Sequence, residues 1–120
     1  MDRTFLLLGA VAAFLAVALG AFGAHGLRGR LAPEMMAVFQ TAVQYHMYHA
    51  LGLLLVSATM GHLSGWLIQT AGWAFVAGIV LFSGSLYALA LSGVTVLGAI
   101  TPLGGVAFLI GWACLAFAAF

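Results

Sequence analysis

The sequence predicts an all-α membrane protein: a compact bundle of four transmembrane helices forming a single domain over residues 1–120. Three observations carry that prediction. The chain is 66% hydrophobic and only 4% charged, whereas a soluble domain needs about a quarter charged residues to cover its surface. The charged residues are Asp2, Arg3, Arg28, Arg30 and Glu34, so nothing beyond residue 34 carries a formal charge. Finally, the apolar residues fall into runs long enough to span, since a hydrocarbon core of about 30 Å needs about 20 helical residues at 1.5 Å each. The length leaves no room for a separate soluble domain, and a net charge of +1 gives no basic surface for nucleic acid. The expected partner is the lipid bilayer, with further copies of the same chain as an open second. Cys114 sits deep in the last apolar run and reads as a small packing hydrophobe.

The first helix is expected over residues 5–25, with no polar residue between 5 and 24. Ala16, Val17 and Ala18 resemble a signal-peptide cleavage site. The apolar run continues past them, and the only basic residue ahead of it is Arg3 beside Asp2, so a retained helix is the better reading. The second helix is expected over 34–60. Pro33 suits a first helical turn, and Glu34 complements the positive end of the helix dipole. This helix exceeds one span, which places its polar first turns in the interface or a protein-lined cavity. GHLSG (61–65) is a tight connection to a third helix over 66–91, opened by Trp66 at the interface and ended by Ser92 and Gly93. The fourth helix has two candidate starts. Thr101 and Pro102 read as cap and first residue of a helix to Phe120; alternatively the helix starts near residues 94–96 and Pro102 kinks it, freeing the Gly98 carbonyl. The first start is preferred.

Small residues recur along these helices. Gly9, Ala13, Ala16, Gly20 and Gly23 form one stripe, Gly84, Ala88 and Ser92 a second, and Ala107, Gly111, Cys114 and Ala118 a third. Such stripes let backbones approach closely where lipid supplies no hydrophobic drive for association. Orientation stays open, because Arg28 and Arg30 favour a cytoplasmic first loop while Arg3 pulls the other way.

The polar residues cluster in TAVQYHMYHALGLLL (41–55). On a helix Tyr45 and His49 share a face, as do Gln44 and Tyr48. Polar groups in hydrocarbon need partners, so they should turn toward the bundle. His46 and His49 have a spacing that two metal ligands can use, but a catalytic metal wants three ligands and no carboxylate or Cys is near. An interhelical hydrogen-bond set is the preferred reading. A haem held by His25 and His49 is disfavoured, because His49 lies about 12 Å deeper than His25. Ser83 and Tyr87 share a face of the third helix, while Thr101 reads as a cap. The candidate polar patch is therefore His25, Gln44, Tyr45, His49, Ser83, Tyr87 and Thr101, with no catalytic residue, no metal and no cofactor. No Asp or Glu lies in a membrane segment, no Ser/His/Asp set can form with Asp2 as the sole Asp, and without Lys there is no P-loop. Enzymatic activity is not expected.

GAFGAHGL (20–27), QYHMYHAL (44–51), LFSGSLY (81–87), TPLGG (101–105) and Gly111-Trp112 occur in this order and spacing. Together they resemble the YgdD/YwdK-type family of small four-helix inner-membrane proteins of unknown function, over nearly the whole chain. The resemblance implies four transmembrane helices, a bacterial inner-membrane location and no established activity. It also implies glutamine as the common residue at position 46, which takes His46 out of a metal pair and leaves Tyr45 and His49 at the centre. A basic C-terminal tail, common in the family, would put both termini inside; this chain lacks it. The functional expectation is a multi-pass, non-enzymatic binding or structural module whose inward patch fixes helix packing and holds a water or small ligand. An oligomeric small-solute channel or transporter is the alternative, and a metal or haem redox protein ranks third.

Overall fold

The computed structural model describes residues 3–63 and 65–120; Asp2 and Ser64, the latter in the second connection, lie outside them. Four long helices account for nearly all of the described chain, which contains no strand: α1 (Thr4–His25), α2 (Pro33–Thr59), α3 (Trp66–Ser92) and α4 (Thr101–Ala119). Each expected helix lies within a residue or so of its predicted limits. Pro33 stands in the first turn of α2 and Pro102 in that of α4, where a missing N–H costs nothing. The preferred start of the fourth helix is the observed one. A short 3₁₀ turn, Thr95–Ala99, precedes it, and the alternative of a helix kinked at Pro102 is not formed.

Three stretches are long and apolar enough to cross a membrane: Thr4–His25, Trp66–Ser92 and Thr95–Ala119. The expectation of four such stretches is corrected at α2. Its 27 residues suffice in length, but Gln44, Tyr45, His46, Tyr48 and His49 hold its hydropathy below that of the others.

α1 packs along α2, α4 packs along α3, and α2 and α3 share the central seam. The molecule measures 47 × 26 × 18 Å. Its seams are built by phenylalanines seated against glycines of a neighbouring helix. Phe39 of α2 lies over Gly23 of α1, Phe5 of α1 over Gly72 of α3, Phe108 of α4 over Gly78, and Phe75 of α3 between Gly52 and Gly111. All four rings are buried. A β-carbon at Gly23 would stand 2.6 Å from Phe39 Cε1, so the ring occupies the volume that any larger residue would need. Close packing of this kind supplies the dispersion energy that holds helices together in an apolar solvent.

The predicted stripes are met unevenly. In α1 the buried positions are Phe5, Gly9, Ala16 and Gly23, a near-heptad spacing that includes most of the predicted stripe. In α3, Ala88 is exposed and Gly84 borders an open crevice; the helix buries Ala71, Gly72, Phe75 and Gly78 instead. In α4 the buried line is Gly104, Phe108 and Gly111, while Ala107, Cys114 and Ala118 are only half-buried. The cause of the shift in α3 is a π turn at Ile79–Ser83. The wider turn changes which side chains face inward. It also brings the Phe82 main chain against α4 at Gly104, where a β-carbon would meet the Phe82 backbone nitrogen and lie 2.6 Å from its Cα.

Candidate functional site: two histidines of α2 and the clefts beside them

α2 carries His46 and His49 three residues apart, and both are buried, at 5% and 4% exposure. They open toward different neighbours. His49 faces α4, where Trp112 Nε1–H donates to His49 Nε2 at 3.0 Å. An indole can only donate, so Nε2 is the accepting nitrogen, and the proton sits on Nδ1, which donates to the Tyr45 carbonyl at 2.7 Å. The tautomer of His49 is thus fixed and both ring nitrogens are engaged. Its ring stacks on Phe108 with centroids 3.5 Å apart and planes 7° apart, and Phe75 packs edge-on at 5.4 Å.

His46 faces α1 and α3. Its Nδ1 lies 2.8 Å from the Tyr87 hydroxyl. The resemblance-based reading left His46 outside the polar patch; that placing is corrected. It failed because it weighed His46 only as a metal ligand, whereas the ring's role here is to reach Tyr87 across the α2–α3 seam. Further along that seam Ser83 Oγ–H donates to the Ala42 carbonyl at 2.8 Å. On the α3–α4 seam the Ser85 and Thr101 hydroxyls pair at 2.6 Å. Thr101 therefore does not cap α4: Ile100 holds the cap position, and the Thr101 side chain turns to α3.

The predicted patch is not one patch. His49, Ser83, Tyr87 and Thr101 are interior or half-buried, but they belong to four separate contacts. Tyr45 is 39% exposed, with its ring against Phe82 and its carbonyl, rather than its hydroxyl, serving His49. Gln44 is exposed beside a cleft of about 230 Å³ between α1 and α2. His25 is exposed at the last turn of α1, away from the others, because the helix ends there and the chain turns out at Gly26. Sequence reasoning missed Ser85 and Trp112. Both are donors in otherwise apolar helices, and asking where each such donor finds an acceptor would have singled them out.

Two larger clefts flank the histidines. One, of about 410 Å³, runs between α1 and α3 with α2 as its floor; His46 and Tyr87 are its polar lining among Leu8, Leu15, Val76 and Ile79. The other, of about 440 Å³, lies between α2 and α4 and is walled by Tyr45, Tyr48, Phe82, Phe108 and Trp112.

Fold and side-chain placement define a small helical membrane protein whose interior polar groups bind one another across its own helices. A family described as Protein of unknown function (DUF423) matches residues 19–105. The UPF0382 membrane protein YwdK of Bacillus subtilis is 57% identical over 118 residues, covering 98% of this chain and 96% of that one. UPF0382 membrane proteins of Staphylococcus epidermidis and Staphylococcus haemolyticus are 52% and 47% identical, covering 97% and 98% of this chain and 94% and 96% of theirs. The chain belongs to this uncharacterised membrane-protein family, the one its motifs resemble. No solved structure matches it.

Proposed function

We propose that the chain is a four-pass protein of the bacterial cytoplasmic membrane and a non-catalytic structural module. In this reading α2 crosses as well, and its polar side chains on the inward side lock the other three helices around it. One observation carries the proposal: among the described residues, no buried side-chain nitrogen or oxygen lacks a hydrogen-bond partner. A solute path or catalytic centre needs polar groups held ready for something else, and here they are already matched. His49 has no ring nitrogen left for a metal or haem iron. The crevice above His46 is almost wholly apolar, which suits an acyl chain better than a polar solute.

Membrane passage of α2 is supported by its neighbours. Gly9 of α1 packs on Ala50 and Leu53, and Gly23 on Phe39, so α2 runs antiparallel beside the whole apolar length of α1. A helix so placed shares the depth of its partner. Reporter tags at the two ends test this. Four crossings put both termini on the same face of the membrane; termini on opposite faces would overturn the reading.

A further inference from the structure

The outward side of α2 differs from its inward side. Gln40, Gln44 and Tyr48 lie four residues apart on one exposed stripe, with Tyr45 exposed beside it. None of these four side chains has a hydrogen-bond partner among the described residues, although every buried polar side-chain atom does. Their depth follows from α1. Since Gly23 sits level with Phe39 and Gly9 with Leu53, Tyr48 falls level with about the middle of the apolar run 5–24. Gln44 then lies about 9 Å inside the end of that run. An unpaired primary amide at that depth faces hydrocarbon, an unfavourable placement unless a partner from outside the chain supplies donors and acceptors.

We propose that this stripe is the interface with a second copy of the chain, in a two-fold dimer whose axis runs along the membrane normal. The inference rests on the four-pass reading. A carboxamide is both donor and acceptor, so Gln44 can pair with Gln44 of a partner at the same depth, as an isologous interface requires. Only an axis along the normal brings the two amides level; an antiparallel pair would separate them by roughly twice their distance from the midplane. The surface beside the stripe suits a helix at close range: Gly20, Gly23 and Ala24 of α1 form one wall of the cleft that Gln40 and Gln44 line. A lipid headgroup is a poorer occupant, because Gln44 lies below the reach of the interface.

Purified full-length protein in nanodiscs and in detergent tests the inference. The wild type is expected to have the mass of a dimer, and Gln44→Leu to dissociate about tenfold more readily, from the loss of two interhelical bonds. Its thermal midpoint as a fold should hold, because Gln44 makes no contact of this kind within the chain. In a Cys114→Ala background, Gln44→Cys should form a disulfide dimer on mild oxidation in membranes. Phe14→Cys, at similar depth on the outer face of α1 and 73% exposed, should not. A monomeric wild type would overturn the dimer, as would equal cross-linking from both positions, a Gln44→Leu variant of unchanged mass distribution, or a cross-link to a species of another mass. Same-face termini with a monomeric wild type would remove the dimer and leave the four-pass reading standing; opposite-face termini would remove that reading itself.

Discussion

The two outer seams, α1 on α2 and α4 on α3, are both built on glycines but close against them differently. Along α1 the glycines receive chiefly side chains: Leu54 at Gly9, Val43 at Gly20 and the Phe39 ring at Gly23, with one carbonyl, that of Ala50, 3.0 Å from a β-carbon at Gly9. Along α4 a carbonyl stands comparably, that of Ala71, 3.2 Å from a β-carbon at Gly111, but Gly104 receives the Phe82 main chain itself, nitrogen and Cα. A side chain can turn away from a new methyl group, whereas a helix backbone can only move as a whole. The α3–α4 seam also carries a hydroxyl pair, Ser85 with Thr101. The first seam is therefore the more tolerant, at Gly20 above all, and the second the more rigid, at Gly104, a difference that substitution can measure.

The largest effect is expected at Gly104. A methyl group there meets the Phe82 backbone at the π turn, so Gly104→Ala must push α4 off α3. Overpacking against side chains costs about 1–3 kcal/mol, and against backbone the upper end applies, about 3 kcal/mol. In detergent the variant should melt well below wild type or fail to yield a monodisperse species. A melting temperature equal to wild type would show that the two helices are not in contact at this level.

The helices themselves were legible, because a span of hydrocarbon sets their length and Pro33 and Pro102 mark their starts. The heptad spacing of Gly9, Ala16 and Gly23 was legible too, since α1 is uninterrupted. The α3–α4 seam was not. A π turn adds a residue to one turn without any marker in the sequence; residues 79–83 read simply IVLFS. Past it, Ala88 of the expected face is exposed and Gly84 only half-buried, while Ser85 turns in. In α4 the search for small residues passed over Phe108, although Gly104, Phe108 and Gly111 form one line in which the large residue fits a glycine across the seam. The candidate site suffered in the same way. A shared face placed Tyr45 with His49 correctly, but what His49 touches was set by Trp112, 63 residues away. His46 likewise depends on Tyr87, on another helix.

His49 joins the two pairs of helices, and its loss should rank second. His49→Leu removes both hydrogen bonds and leaves the Trp112 indole without its acceptor. An orphaned donor and the lost stacking on Phe108 together should cost about 2 kcal/mol. Trp112→Phe, which removes the donor but keeps a ring, should cost less on its own. In a double-mutant cycle on thermal unfolding, the pair should show coupling; additive effects would mean that the indole and the imidazole do not meet.

The smallest effect belongs to Gly20, on the tolerant seam. A β-carbon there would lie 3.3 Å from Val43 Cγ1, a close contact that a small displacement of the valine relieves, and no backbone stands in the way. Alanine also restrains the unfolded chain more than glycine does and favours helix by about 0.5–1 kcal/mol. These two contributions oppose each other, so Gly20→Ala should shift unfolding by less than about 0.5 kcal/mol. Gly20 and Gly104 are both helical glycines at interhelical contacts, and sequence gives no ground for ranking them. If their alanine variants melt alike, the distinction between glycines met by side chains and glycines met by backbone fails. If Gly20→Ala is near neutral while Gly104→Ala is severe, the rigid half of the molecule is α3 with α4, and α1 is the helix most able to shift against its neighbour.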